Sequence, residues 1–475
     1  MFTKRIVFSL LVFAVSAGLI WGGFSSACTI GAASGSATAD GRPMIWKTRD
    51  TGVKNNELYY NTSGKYKFLS LINAGSTASW HGVNEKGFSI LNSSSNDLRG
   101  WSRARRSRDP NAPRWSRDPN TPRHSREPND PGSLRDSGNW LDNGTLMRYS
   151  LANCADVAEF EKLLEKTNVT GRRTAANFVV MDAKGEVAIF ETGPKKFKKF
   201  DAKDPNVAPN GYILRSNFAF SAGEENNSSR RNSFNRYKRT SDLVKGFYAD
   251  GKVTYKDILR TQMRDFSDVK GEAISVPFAS RFDANVPAGY IKNRWSLCRA
   301  SSASAALVVG VRDGEDPRLS TMWTLLGQPA AAVAVPYWPV GKTPPQADGE
   351  ETAPLCDISR KITSQLVLRS TTLDQRQRRY YIDSYKLKDI KGNGLWAILF
   401  PVEDKIFAEV EAKLAKWRKS GPDVEDMLAT EGKLAKDALA TLEKASKKLE
   451  TFRPDKGNLK ETKIGSETDK EPVGK

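Results

Sequence analysis

Between Arg99 and Gly138 the chain carries a composition that builds neither helix nor sheet. Ser107-Arg-Asp-Pro-Asn-Ala-Pro-Arg-Trp is followed by Ser116-Arg-Asp-Pro-Asn-Thr-Pro-Arg-His and then by Ser125-Arg-Glu-Pro-Asn-Asp, a decaying nine-residue repeat. Each proline removes a backbone donor and fixes φ, so neither a helical nor a ladder hydrogen-bond pattern propagates through such a run. Residues 98–138 are therefore predicted to be a low-complexity, disordered Arg/Pro-rich insert at the surface. The folded part of the molecule has to come from the two flanks.

On the N-terminal flank, residues from Cys28 to about Asn96 read as short strands with turn punctuation at Gly35 and Asp40-Gly41. The apolar runs are Met44 to Trp46, Phe68-Leu-Ser-Leu-Ile and Gly87-Phe-Ser-Ile-Leu. Beyond the insert, Gly144 to Lys166 has helical spacing, with Leu146, Leu151, Val157, Phe160, Leu163 and Leu164 on one face. Asn177 to Glu191 reads as a β-hairpin around a Lys-Gly turn, and Gly211 to Asn217 as another strand. Ser233–Lys245 and Thr254–Arg264 are predicted helices; the run from Ser302 and the run Ala330–Val335 are predicted buried strands. Strands in runs separated by blocks of helix indicate an α+β fold.

Glu403–Arg418 and Asp423–Leu449 have long 3.6-residue periodicity broken at Gly421-Pro422, the pattern of a helical hairpin. This divides the chain into residues 1–27, a main unit 28–345, an extension 346–452 with the hairpin, and a polar tail 453–475. With 475 residues and 39% apolar content, the chain can bury a sizeable core.

Residues 1–27 combine a basic start, an apolar run from Ile6 to Gly23 and small residues Ser25 and Ala27 before Cys28, the order of a secretory signal. Export to a periplasm, an envelope or the exterior, with cleavage before Cys28, is the expectation. The same residues admit a retained membrane anchor or a lipid-modified Cys28, although Ser25 departs from the bulky aliphatic residue of a lipoprotein signal.

A formal charge of +19 raises the question of nucleic acid. The excess is scattered and much of it lies in the insert, so no nucleic-acid partner is expected. A solvated basic surface facing an anionic envelope or polymer accounts for it. Only two histidines, His81 and His124, are present, and His124 lies in the insert. Zinc sites and Ser-His-Asp relays therefore lack their parts. Of four cysteines, removing Cys28 as a nucleophile leaves Cys154, Cys298 and Cys356, which cannot all pair with each other.

A hydrolase without imidazole needs another general base, and a thiol at a mature N-terminus has one in its own α-amino group, whose reference pKa is about 7.7–8.0. Cys28 begins Cys-Thr-Ile-Gly-Ala-Ala-Ser-Gly and runs on to Arg49-Asp50. Gly82-Val-Asn-Glu-Lys-Gly-Phe-Ser-Ile-Leu-Asn92-Ser, Asn177 to Glu191 and Leu214-Arg-Ser-Asn217-Phe follow in order. Together these segments resemble the N-terminal-nucleophile (Ntn) hydrolases of the isopenicillin-N acyltransferase and choloylglycine hydrolase type. The resemblance implies a four-layered αββα sandwich acting on linear amide bonds, with no metal or organic cofactor and a small amide or peptide as substrate.

Carried over by residue, the resemblance makes Cys28 the nucleophile and Asp50 the acid that holds its α-amino group. Asn92 and Asn217 match the oxyanion side chains, and Arg236 in Ser233-Phe-Asn-Arg236-Tyr matches an arginine brought to the nucleophile, with Arg230 and Arg231 close by in sequence. Carboxylates steady ammonium groups and amide N–H donors stabilise oxyanions, so the residue types suit the roles. The choloylglycine branch has an arginine three residues before the aspartate. Here that position is Lys47, with Arg49 next to Asp50, which argues against bile-salt chemistry and leaves a cationic role beside the thiolate to either residue. Cys298, in Asn293-Arg-Trp-Ser-Leu-Cys298-Arg299, reads as a buried structural thiol. Two other functions fit parts of the sequence: a dipeptidase of the same fold, and a catalytically silent basic envelope-binding protein working through the insert and the hairpin.

Overall fold

The computed structural model describes residues 27–101, 141–222, 227–349, 352–369 and 373–457. The expectations for nearly all of the leader before Cys28, for the whole of the repeat and for most of the polar tail fall outside these residues; the start of the expected insert is instead ordered, a 3-10 turn at Asn96–Trp101 held by Leu98 packing on Ala175 and Ala219.

The N-terminal flank forms six strands: β1 (Thr29–Ala33), β2 (Met44–Asp50), β3 (Asn56–Asn61), β4 (Phe68–Asn73), β5 (Ser79–Asn84) and β6 (Ser89–Ser94). Helices α1 (Asn143–Asn153) and α2 (Val157–Thr170) follow. The single helix expected over Gly144–Lys166 is thus two. The cause is local: the Asp156 carboxylate accepts from Glu159 N at 2.8 Å and starts a new helix, as Asp142 does for α1 through Thr145 N. Both helices keep their apolar residues on one side, because Leu146, Leu151, Phe160 and Leu164 share a cluster with Phe88, Ile90, Phe178 and Phe190.

The hairpin read at Asn177 to Glu191 is β7 (Ala176–Met181) and β8 (Val187–Thr192), turning through Gly185 at φ 79°. Strands β9 (Phe197–Asp201) and β10 (Tyr212–Arg215) precede α3 (Asn227–Ala249) and α4 (Tyr255–Arg260). A capping box between Thr254 and Asp257 begins α4, which gives way to a 3-10 turn at Gln262–Arg264 before the expected end. Next come β11 (Tyr290–Lys292), β12 (Ser302–Val309), β13 (Thr321–Leu326) and β14 (Val335–Tyr337). The strand expected over Ala330–Val335 is instead a 3-10 turn, Pro329–Ala331, with β14 starting only at Val335. Pro329 cannot donate to a ladder, and the Arg264 guanidinium takes up the Pro329 and Ala332 carbonyls at 2.9 Å each. Helix α5 (Pro354–Leu366), β15 (Tyr381–Asp383), α6 (Trp396–Ser420) and α7 (Val424–Thr451) complete the order.

The protein is a mixed α/β fold built on antiparallel sheets. One has six strands in the order β10-β1-β2-β12-β13-β14; the other is a seven-stranded meander from β3 to β9; β11 and β15 form a small pair. Ile30, Ile45 and Leu307 of the six-stranded sheet share a core cluster with Leu71, Leu91, Val179 and Ile189 of the meander. Val244, Ile258, Phe407, Trp417 and Leu434 join it from α3, α4, α6 and α7. The two C-terminal helices are therefore docked on the main body. Trp417 meets Trp338 edge to face at 5.1 Å, and buried Glu403 of α6 pairs with Arg264 at 2.5 Å. Among the described residues no helix is long and apolar enough to cross a membrane.

Candidate active site

Strand β1 lies between β10 and β2, so the residue at its head is enclosed on both sides. Cys28 is buried there, with 2% exposure. Thr29 pairs with Thr48 across the β1–β2 ladder, which brings Cys28 level with Arg49 and one position from Asp50. Alternation along β2 then sends neighbouring side chains to opposite faces. Lys47 and Arg49 reach the meander: Lys47 Nζ donates to the Trp80 carbonyl at 3.0 Å and to Asn92 Oδ1 at 2.8 Å. Arg49 Nη2 donates to Asn73 Oδ1 at 2.8 Å, and its guanidinium lies 4.9 Å from the centre of the Trp80 ring. Asp50 accepts from Ser302 Oγ at 2.7 Å and stands 3.8 Å from Arg299 Nη1.

Arg236 joins α3 to this strand head. Its Nη1 donates to the Cys28 carbonyl at 2.7 Å and to Thr29 Oγ1 at 3.0 Å, and its Nη2 donates to Asn217 Oδ1 at 3.0 Å. Asn217 in turn donates to the Ser94 carbonyl at 2.9 Å. Ser216 Oγ adds a 3.3 Å hydrogen bond to the Cys28 carbonyl. Asn177 holds the same corner from β7, donating to the Ser216 and Phe218 carbonyls at 3.1 and 2.9 Å.

Cys28, Asp50, Asn217 and Arg236 thus come together at one end of the six-stranded sheet, and Asn92 reaches the same sheet through Lys47. The two asparagines are held differently. Asn92 accepts from Lys47 through Oδ1 and makes no hydrogen bond through Nδ2 with any described residue. Asn217 uses both ends of its amide, one on Arg236 and one on Ser94, leaving one N–H of its NH2 group.

Positive charge dominates the surroundings. Burial pushes Lys47 down to about 8, with Cys28 opposing and Arg49 adding to the shift. Burial pushes Arg49 and Arg236 down to about 10 and Lys54 to about 8. Asp50 is raised by burial, against the pull of Arg299, Arg236, Ser302 and Lys54. His81, on β5, is pushed well below its usual value by burial and by Lys47, so its imidazole is neutral and offers no cation to the site. A developing oxyanion in such a setting finds a preorganised positive field.

Sequence reasoning does not find Ser302 and Arg299 as partners of Asp50, Thr29 and Ser216 around Cys28, or the Lys47–Asn92 contact. Ser302 lies 252 positions from Asp50, and nothing local in either segment signals the pairing. Cys298 is buried and pushed up to about 12 by that burial, as an inert thiol should be. No disulfide joins any of the four cysteines, all of which lie among the described residues and are buried.

Residues 133–286 match the family described as AAT: Acyl-coenzyme A:6-aminopenicillanic acid acyl-transferase. That segment holds Asn217 and Arg236; Cys28, Asp50 and Asn92 precede it. Penicillin V acylase from Agrobacterium tumefaciens is similar at 13% identity over 66% of this chain and 85% of its own, with a TM-score of 0.34. A variant of the conjugated bile acid hydrolase from Clostridium perfringens is similar at 12% identity over 63% and 89%, TM-score 0.33. The Caenorhabditis elegans orthologue of N-acylethanolamine-hydrolyzing acid amidase is similar at 11% over 50% and 88%, TM-score 0.31. No curated protein matches the chain. The match to the acyl-transferase family is thus confined to residues 133–286, a segment that includes the β7–β8 hairpin, Asn217 and Arg236.

Proposed function

We propose that the protein is an exported cysteine Ntn hydrolase that cleaves, or transfers the acyl group of, a small linear amide through an acyl-Cys28 intermediate. The observation that carries this reading is the single guanidinium of Arg236, which hydrogen-bonds the Cys28 backbone and the Asn217 side chain together. The two facing sheets, with α1 and α2 on one outer side and α3 and α4 on the other, support a four-layered αββα arrangement for residues 28–345. The α6–α7 hairpin is an addition to it.

In this mechanism the leader is removed before Cys28, which frees the α-amino group. Cys28 Sγ attacks the amide carbonyl carbon as the amine takes the thiol proton. The oxyanion of the tetrahedral intermediate is held by Asn92 Nδ2, the remaining N–H of Asn217 and backbone amides. Collapse breaks the C–N bond, the ammonium at Cys28 gives its proton to the leaving amine, and a thioester remains on Sγ. Water, deprotonated by the same amine, then releases a carboxylic acid; a second amine in place of water gives acyl transfer. Asp50 steadies the ammonium form of the α-amino group. Lys47, Arg49 and Arg236 supply the field in which thiolate and oxyanion form, and no metal or organic cofactor takes part.

Replacing Cys28 by Ala should abolish release of amine from N-acyl amides and from dipeptides alike, with the far-UV circular dichroism spectrum unchanged. Turnover retained in Cys28→Ala would refute the mechanism.

A further inference from the structure

A cavity lies at the opposite end of β2 from the residues around Cys28. Six steps of about 3.3 Å separate Met44, in its wall, from Asp50, or about 20 Å along the strand. The cavity has a volume of about 300 Å³ and is closed on one side by α6, which lies beyond the family segment. Val253, Val309, Trp323, Val410 and Leu414 give it an apolar lining. The Tyr255 ring stacks on Trp323 at 5.2 Å and 16°, making a flat aromatic wall.

The charges in that lining are not all satisfied. Glu411 accepts from the Tyr255 hydroxyl at 2.8 Å and pairs with Lys256 at 2.8 Å. Arg42 holds Asp40 at 3.3 Å and Glu315 through Nε at 3.0 Å. Arg418 of α6 is different: its guanidinium makes no hydrogen bond with any described residue, and its Nε is buried without a hydrogen-bond partner among them. The nearest acid, Glu315, stands 3.9 Å away and is already engaged by Arg42. The donors of a side chain only 24% exposed are therefore unbonded, among the described residues, at a cavity wall. Leaving such donors unmet is unfavourable, and a carboxylate is the group whose two oxygens fit the guanidinium fork.

We propose that this cavity binds a small organic acid with a compact aromatic or branched apolar body, the carboxylate on Arg418 and the body against Trp323, Val410 and Leu414. A volume at the lower end of small-molecule sites, which span roughly 300–1,000 Å³, suits one ring or a short branched chain and excludes a long acyl tail. The site is separate from the catalytic one and does not depend on the reaction proposed for Cys28.

Titration of the intact protein with phenylacetate, followed by tryptophan fluorescence and calorimetry, tests the proposal. Arg418→Gln should weaken binding by at least about tenfold, the worth of a hydrogen bond to a charged group. It should not lower the unfolding temperature, since Arg418 hydrogen-bonds to no described residue. Neutral 2-phenylethanol should bind at least about tenfold more weakly than phenylacetate, and Leu414→Trp, which fills the cavity, should abolish binding. If Leu414→Trp does not fold, Arg418→Gln still decides the matter. Phenylacetate that binds Arg418→Gln as it binds the unaltered protein sits elsewhere, the Cys28 site included, and overturns the proposal. No binding at millimolar concentration, or equal binding of 2-phenylethanol, overturns it as well.

Discussion

Arg236 Nη1 donates to the carbonyl oxygen of Cys28 at 2.7 Å. The arginine thus grips the backbone of the proposed nucleophile, and its other nitrogen reaches Asn217 at 3.0 Å. In the proposed mechanism its place is positional as well as electrostatic: α3 sets where the head of β1 lies relative to Asn217. Lysine keeps the charge but cannot span both acceptors as a rigid fork. Arg236→Lys should lower kcat by about a hundredfold, the penalty of a small misplacement of reacting groups, with an unchanged circular dichroism spectrum. Single-turnover and steady-state kinetics on the two proteins provide the check.

Asn92 offers a sharper separation of roles. Its oxygen is on Lys47 and its nitrogen makes no hydrogen bond with a described residue. Asn92→Asp keeps the Lys47 contact and the shape but loses the donor. Both Asn92→Asp and Asn92→Ala should therefore cut kcat by roughly 10²–10³, with little change in KM. If Asn92→Asp retained full kcat, the residue would be structural.

Lys47 links the site to stability. Burial lowers it from 10.5 to about 8, so the unfolded chain binds more protons than the native one between those values. Stability contributed by this group therefore rises with pH from about 8 to 10.5, on the order of 3 kcal/mol in all. Lys47→Met should remove that slope in denaturant titrations across the same window. It should also reduce turnover, because Asn92 loses its anchor.

The docking of the C-terminal hairpin rests on two buried carboxylates with different environments. Glu403 is paired with Arg264 at 2.5 Å and Arg260 at 2.6 Å and also accepts from Ala334 N at 2.8 Å. Glu403→Ala takes the buried Arg264 guanidinium's carboxylate away, while Arg260 keeps Asp404 at 2.6 Å, and should destabilise the protein by about 3–5 kcal/mol. Glu431 accepts only from Trp338 N among the described residues, at 2.6 Å, and burial raises its pKa well above the usual value. A raised carboxylate contributes stability fully below its unfolded pKa and loses it as pH rises through the folded one. Glu431→Gln should remove that loss and leave the protein at least as stable at neutral pH. Thermal unfolding of both variants at several pH values distinguishes them.

The parts of the fold legible in the sequence are those specified by local chemistry. The β7–β8 hairpin is readable from two apolar runs around Lys184-Gly185, and the α6–α7 break from Gly421-Pro422, because period and turn residues act within a few positions. The interruption between α1 and α2 escapes such a reading although Asp156 is a good N-cap, since apolar spacing continues across it. Ala330–Val335 misleads because an apolar, Ala/Val-rich run reads as a strand, while Pro329 and the distant Arg264 decide its conformation. The site divides in the same way. Cys28, Asp50, Asn92 and Asn217 sit in motifs with recognisable neighbours. Ser302, Arg299 and the Arg418 cavity depend on contacts between segments far apart in sequence.

The most direct test of the account is acid-quenched peptide mass mapping of the protein during turnover of a chromogenic N-acyl anilide. The account predicts an N-terminal peptide that begins at Cys28 and carries the acyl mass on its thiol, the adduct disappearing as substrate is consumed. An N-terminus that still holds leader residues, or turnover with the acyl group on another side chain or on none, would contradict it.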